Sequence, residues 1–383
     1  MVGMLVAFHT QSNEGFAMHP LEKVFFKVAC QITGRADFVH MSFTSLDKGH
    51  PRSLPRDFKN VLRLSKYDPD RKEAKFISRY VKDNKIKIAF FFDLRPNSSI
   101  CKLLRKNGVR TIVSYWGAPM SDYNSLLKLT LKKMEILLYR NRPDLFIFES
   151  EAMRDLAVNG RGLSLSRTCV VPTGVDTKKF TPAKRNRGYL SRQFGIGKDE
   201  FVIVYTGHME KRKGVHVIMA SAIKLVDDLG LKNIKFLICG NRPGEEEIFL
   251  NTLRASNASD NVIFSGYRDD LDVILPSCDI GVIASTGWDS FPMSSQEMAA
   301  CGLPIVVSRL QGLVETVENG VTGMLFEPGD ANELSECVLS LLNDSEKRKS
   351  MSKAARRRVE SGYSIDIQVE RLISVVNRVI ENK

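Results

Sequence analysis

No apolar run in this chain reaches the roughly 18–20 residues needed to cross a bilayer, so a membrane-spanning helix is not expected. Metal-ligand spacing is missing as well. The seven cysteines include no C-x-x-C pair, and the six histidines form no H-E-x-x-H. Odd in number and scattered, the cysteines read as reduced core thiols of a cytosolic protein. Repeats and low-complexity stretches are absent. The opening MVGMLVAFH lacks a basic n-region and a small-residue cleavage site, so it is expected as a buried first strand rather than a signal peptide. What is present is a folded composition, 43% apolar and 26% charged, over 383 residues. That length exceeds one ordinary hydrophobic core and implies two domains.

The charge is lopsided. Residues 1–200 carry 36 Lys+Arg against 19 Asp+Glu, whereas residues 201–383 carry 20 against 25. Such asymmetry points the first half at a polyanion: a membrane surface, an anionic lipid substrate or a nucleic acid. Within it, residues 51–110 hold 17 cations, and YNSLLKLTLKKMEILLYRNR repeats Leu126, Leu127, Leu131, Met134 and Leu138 at helical spacing. Lys128, Lys132, Lys133 and Arg140 fall elsewhere on that helix. It is either a membrane-surface helix or a core-packed one with a solvated basic face.

Short apolar runs alternate with 3.6-periodic segments along the whole chain. Strands are expected at Met4–Phe8, Lys87–Phe92, Thr111–Tyr115, Leu145–Phe148, Cys169–Pro172, Phe201–Thr206, Ile234–Cys239, Val262–Phe264, Ile280–Ala284 and Ile305–Ser308. The alternation is that of parallel α/β sheets. Polar, basic TGVDTKKFTPAKRNRGYL breaks the pattern, which gives domains at 1–175 and 201–362 with a linker over 176–200. Residues 363–383 read as a closing amphipathic helix packed back on the first domain, with Val369, Leu372, Ile373, Val376 and Ile380 on one face. Doubly wound lobes hold ligands at the carboxyl ends of their strands.

Two segments carry candidate chemistry. In the first, the strand IGVIAS runs into TGWDSFPMSSQEMAACG, where Pro292 suits a helix start and Gly302 its end. A helix start presents unpaired amides and a positive dipole end to a phosphate. Asp289 and Glu297, eight positions apart, can face one crevice and accept hydrogen bonds from sugar hydroxyls. Alternatively, Asp289 is a helix cap and Glu297 a solvated face residue. In the second, TGHMEKRKG, a strand ends at Gly207 and Lys211, Arg212 and Lys213 precede a helix, where the dipole disfavours cations. Such a misfit marks a diphosphate site or merely a solvated basic turn.

In order, the pieces VVPTGVDTKKFTP, YTGHMEKRKGVHVIMAS, FLICGNRPGEE, NVIFSGYRDDLDVILPSCDIGVIAS, DSFPMSSQEMAACGLPIVVS and GLVETVENGVTGMLFEPGD resemble glycosyltransferase family four. These are retaining, nucleotide-sugar-dependent enzymes of the GT-B architecture: two Rossmann-like doubly wound parallel-sheet lobes with a cleft between them. The resemblance is dense over residues 169–345 and loose before them, where PDLFIFESEAMRDLA matches best. It implies that Glu297 accepts from the nucleotide ribose, that Asp289 stands near the transferred sugar's hydroxyls in place of a glutamate, and that Lys213 contacts the diphosphate. His208 replaces an arginine that assists Lys213, with Arg212 as a compensating cation. Tyr267 and Arg268 lie where the base is recognised, and Phe291, Pro292, Met293 and Ser294 form the phosphate turn. The donor implied is a UDP- or GDP-sugar, used without cofactor or metal, and the acceptor a glycan or lipid-linked glycan in polysaccharide, capsule or lipopolysaccharide synthesis. A cytoplasmic location, peripheral at the inner membrane face, follows from the same reading.

Toward the N-terminus the family pattern thins. HTQSNEGFAMHPLEKVF offers the single Gly15 where a glycine pair is usual, with His9, His19 and Glu22 as polar candidates. Asp93 stands where many members have a histidine; it either lines the donor pocket or caps the helix after it. Trp116 reads as a packing residue. An epimerase or phosphorylase on the same fold, and a degenerate member that binds without turnover, are the rival readings. Nucleic-acid binding is not expected, because aromatic-rich RNA motifs and a helix-turn-helix are absent.

Overall fold

A computed structural model describes residues 2–15, 18–64 and 67–383. The chain divides into two compact units, Met1–Thr173 with Ile365–Lys383, and Gly174–Ser364. Both are parallel α/β folds.

The first unit runs β1 (Gly3–Ala7), α1 (Met18–Thr33), β2 (Val39–Phe43), β3 (Val61–Arg63), α2 (Arg71–Asp83), β4 (Ile86–Phe92), α3 (Ser99–Lys106), β5 (Thr111–Trp116), α4 (Leu126–Leu138), β6 (Leu145–Phe148), α5 (Glu151–Leu156) and β7 (Thr168–Val170). Its seven strands order as β3-β2-β1-β4-β5-β6-β7, all parallel. Near-continuous apolar strands such as IKIAFFF, in which only Lys87 is half-buried, are buried on both faces, as a helix-covered parallel sheet demands.

The second unit contains α6 (Arg187–Phe194), β8 (Phe201–Thr206), α7 (Val215–Ile223), β9 (Ile234–Cys239), α8 (Glu247–Leu253), β10 (Val262–Phe264), α9 (Leu271–Ile274), β11 (Ile280–Ile283), α10 (Met293–Ala300), β12 (Ile305–Ser308), β13 (Gly323–Phe326), α11 (Ala331–Asn343) and α12 (Ser345–Gly362). Its order is β10-β9-β8-β11-β12-β13, again all parallel. In each sheet the strand order reverses beside the first strand, at β1/β4 and β8/β11. Those switch points are where an open α/β sheet leaves a crevice for ligands.

The closing helix α13 (Ile365–Glu381) belongs to the first unit, where it packs on α1. Val369, Leu372 and Val376 enter that unit's core, and Lys27 pairs with Asp366 at 2.7 Å.

Three strands escape the sequence pattern: β2, β3 and β13. VHMSF mixes a histidine and a serine into a buried strand, VLR is three residues long, and GMLF sits among turn residues. Residues 176–200, read as a linker, are built into the second unit instead. Phe180, Leu190 and Ile196 are buried in its core, and the cations around them are paired inward: Arg187 and Arg185 with Asp279, Lys184 with Asp272. Polar composition there reflects ion pairing, not solvation.

Helix α4 is not core-packed. Only Ile136 is buried along it. Among the described residues no helix is long and apolar enough to cross a membrane.

Candidate active site

The second sheet's switch point brings the two sequence-marked segments together. After β8, Gly207 and His208 lead into a single tight turn, Lys211–Lys213, and Gly214 opens α7. After β11, residues 284–292 lead into α10. The two loops are joined through the backbone: the Thr286 and Gly287 amides donate to the Arg212 carbonyl at 2.7 and 3.2 Å. A Cβ on Gly214 would lie 1.6 Å from the Ala284 carbonyl oxygen, so only glycine, here at φ +72°, allows that approach. The guanidinium of Arg212 lies 4.0 Å over the Trp288 ring and donates to the Trp288 carbonyl at 3.0 Å. Farther along, Phe291 is buried and stacks on Tyr363 at 5.2 Å. The loop is thereby pinned at both ends.

Asp289 does not cap α10. Pro292 occupies the cap position without a side-chain bond, and Asp289 is buried, accepting from Lys213 Nζ at 2.9 Å and from Ser285 Oγ at 2.7 Å. The paired charges and the serine hydroxyl satisfy each other in a poorly hydrated place. Met293 and Ser294 open the helix, and their amides face no preceding intrahelical carbonyl.

Glu297 lies on the same helix, half-buried. Among the described residues its carboxylate receives no hydrogen bond and forms no ion pair. Burial pushes its pKa up to about 7, and the nearby cation Lys179 offsets this only in part. A carboxylate so poor in donors is suited to accept them from a ligand. Lys179 was not marked by sequence reasoning, and neither were Ser285 and Trp288. Lys179 comes from a segment that looked like linker, and no spacing rule links it to Glu297.

His208 is exposed, and its carbonyl accepts from the buried Tyr205 hydroxyl at 2.7 Å. Tyr267 is exposed beyond β10. Arg268 is held in a cluster of its own, bonded to Asp270 at 2.8 and 2.5 Å and lying 5.3 Å over Phe194.

In the first unit the switch point gathers His9, Asp93, Trp116 and Glu149 at the ends of β1, β4, β5 and β6. Asp93 is not the cap of α3. It sits at φ +55°, accepts from the Gly117 amide at 3.1 Å, and leaves the start of α3 to Asp68, which accepts from the Ser99 amide at 2.7 Å. Burial raises the Asp93 carboxyl to about 6 against the opposing effect of His9, whose ring stacks on Phe92 at 5.3 Å. Trp116 is buried and donates to the Leu94 carbonyl at 3.3 Å, a packing role. Glu149 is buried at the end of β6, so close that a Cβ on Gly117 would lie 3.0 Å from its Oε1. Glu22 is buried and accepts from Ser53, and His19 is half-buried with its pKa lowered by burial and by Lys23 and Arg52. Gly15 lies beyond Ser12 and Asn13, whose side chains are tied to Gly49, Lys48 and His50.

With this geometry in place, residues 187–358 match the family described as glycosyl transferases group 1. That segment belongs to this family. The group 1 glycosyltransferase segment covers both loops and Glu297. Over 263 residues the chain is 30% identical to the N,N'-diacetylbacillosaminyl-diphospho-undecaprenol alpha-1,3-N-acetylgalactosaminyltransferase of Campylobacter jejuni, covering 68% of this chain and 64% of that protein. Over 257 residues it is 23% identical to the UDP-Gal:alpha-D-GlcNAc-diphosphoundecaprenol alpha-1,3-galactosyltransferase of Escherichia coli, covering 67% and 66%. The chain thus spans just under two thirds of each relative. In fold it is similar to a Rickettsia africae glycosyltransferase (TM-score 0.81, 15% identity, both chains covered in full). It is also similar to Anabaena HepE crystallised with UDP (TM-score 0.76, 16% identity, 98% of this chain and all of that one). The two-sheet α/β architecture is that of GT-B glycosyltransferases.

Proposed function

We propose that this chain transfers a hexosyl group from a nucleoside-diphosphate sugar, a UDP- or GDP-sugar, to a glycan or lipid-linked glycan acceptor, with retention at the anomeric carbon. The observation that carries this is Glu297: a half-buried carboxylate with no hydrogen-bond donor among the described residues, on the helix whose first amides open beside the Lys213–Asp289 pair. A sugar nucleotide supplies both missing partners, phosphate for the amides and ribose hydroxyls for the carboxylate. The names of the Campylobacter and Escherichia relatives, both acting on undecaprenol-linked sugars, support the lipid-linked acceptor. UDP in the HepE crystal supports the donor class.

In this reading the sugar's C1–O bond breaks and the nucleoside diphosphate leaves with the electron pair. Lys213, the amides of Phe291, Met293 and Ser294, and the α10 dipole stabilise that charge where it develops, in the part a metal ion plays elsewhere. The acceptor oxygen attacks C1 from the departing side, and its proton passes to a phosphate oxygen of the leaving group. Asp289 holds Lys213 in place and lies near the sugar hydroxyls. Arg212 and His208 flank the diphosphate, and the Tyr267–Arg268 backbone faces the base.

Calorimetry against UDP, GDP and ADP tests the site, with one of the first two expected to bind and Glu297→Ala expected to abolish it. If no nucleotide binds, the reading fails. Turnover followed by NMR of the product anomer tests retention. Nucleotide binding without transfer to any glycan or lipid-linked acceptor would instead identify a degenerate binding protein.

A further inference from the structure

Helix α4 exposes a continuous apolar face. Leu126, Leu127, Leu131, Met134, Leu137 and Leu138 are between 55 and 81% exposed, although an ordinary helix of a folded unit buries its leucines. At ~100° per residue these six fall within an arc of about 140°. The opposite side carries Ile136, the one buried residue, together with half-buried Leu129 and Lys132. The helix is held in this orientation from behind: Arg161 bonds Glu135 at 3.0 and 2.9 Å, and Lys132 donates to Ser121 at 3.0 Å. It therefore cannot turn its leucines inward without breaking those bonds.

Cations border the face. By the same spacing Lys128 lies at one edge of the arc and Lys133 at the other. Beside Lys133 a groove of about 340 Å³ is lined by Arg142, Arg167, Leu137 and Leu165, the last of these also exposed. None of Lys128, Lys133, Arg142 and Arg167 has an ion pair among the described residues. The carboxylates near them are already engaged, Glu135 by Arg161 and Asp144 by Arg105 and Lys383. Burial and the adjacent Arg167 hold the Arg142 guanidinium below its ordinary value, a like-charge proximity that a bound anion would relieve.

We infer that the apolar face of α4, edged by Lys128, Lys133, Arg142 and Arg167, docks on the surface of an anionic phospholipid bilayer. The six apolar side chains line one face of a single helix, an arc that matches an element lying at the headgroup–acyl boundary. Unpaired cations at the rim then meet lipid phosphates. A second copy of the chain fits poorly, because a symmetric contact would set these cationic rims against each other. The inference stands apart from the sugar-nucleotide reading and is tested without nucleotide.

Sedimentation of the full chain with phosphatidylglycerol/phosphatidylcholine vesicles at low salt should show binding at least tenfold tighter than to phosphatidylcholine alone. Leu127→Ser/Leu131→Ser/Leu138→Ser should abolish it while Tm and nucleotide binding stay unchanged. Lys128→Gln/Lys133→Gln should weaken binding to the anionic vesicles by about fivefold for each lost cation. Absence of wild-type binding, or full binding by the triple-serine variant, overturns the inference. A dimer dispersed by the triple substitution, with no vesicle binding, overturns it in favour of a second copy.

Discussion

Lys213 Nζ lies 2.9 Å from Asp289 Oδ2, and the two are among the more buried charges of the second unit, with side chains 16% and 6% exposed. They come from different loops, one after β8 and one after β11, so the pair fastens the switch point. It also places a cation beside the start of α10 before any ligand arrives.

Breaking a buried pair from one side strands the other charge. Lys213→Met is expected to cost about 3 kcal/mol in urea unfolding. Adding Asp289→Asn, which keeps an acceptor for Ser285 and removes the stranded charge, should restore more than half of that. Glycosyl transfer should stay lost in both variants. A Lys213→Met protein as stable as wild type would mean that the pair is not buried as described.

Glu297 links folding to binding through its proton. Its folded pKa of about 7 is above the ordinary 4.5, so the native state holds the proton more tightly than the unfolded chain. The stability this contributes is fully present below about 4.5 and is lost as pH rises through 7. Glu297→Gln should therefore raise Tm by a few degrees at pH 8 and leave it unchanged at pH 4. In the proposed reading ribose hydroxyls donate to the ionised form, so nucleotide affinity should fall below pH 7. Calorimetry between pH 6 and 7 should show proton release on binding, which Glu297→Gln abolishes. A pH-independent wild-type affinity would contradict the assignment.

Gly214 and Gly230 separate two costs of replacing glycine. Both have positive φ, +72° and +67°, but a Cβ on Gly214 meets the Ala284 carbonyl oxygen at 1.6 Å while one on Gly230 meets nothing. Gly230→Ala should cost about 1–2 kcal/mol, the conformational term alone. Gly214→Ala must push the two site loops apart, and should leave the second unit unfolded or unable to bind nucleotide. Chemical denaturation of the two variants side by side distinguishes these outcomes.

Much of this arrangement is legible in the chain. FVIVYT, IKFLIC and LFIF are largely apolar runs between periodic segments, and they fall on strands to the residue. The loop after β8 is readable because its cations stand where a helix start repels them, and the loop after β11 because it runs into a helix start whose amides suit a phosphate. Pairing is not readable. Nothing in the spacing of Lys213 and Asp289 says that they bond each other, nor that Arg212 covers Trp288. Likewise YNSLLKLTLKKMEILL has the periodicity of a packed helix and of an exposed one alike, since period alone does not say what the apolar face meets. Polar 176–200 misled for the converse reason: its cations are satisfied inside the second unit by Asp272 and Asp279.

Asp93 offers a test in the first unit. Its backbone is left-handed at φ +55°, a conformation that Asp and Asn adopt with little strain, and its side chain accepts from the Gly117 amide. Asp93→Asn preserves both features and removes only the titration, so the fold should persist. Burial raises its carboxyl to about 6 from the ordinary 3.8, so the stability it contributes is present below about 3.8 and lost as pH rises through 6. At pH 8 the Asn variant should therefore be the more stable protein, and at pH 3.5 the two should coincide. If Asp93 also touches the reacting sugar, kcat of the wild type should show an inflection near pH 6 that Asp93→Asn lacks. Nucleotide affinity, which the proposed function assigns to the second unit, should be the same for both. Identical kcat profiles would leave Asp93 a structural residue of the β4 turn, held there by the backbone geometry that glycine, asparagine and aspartate share.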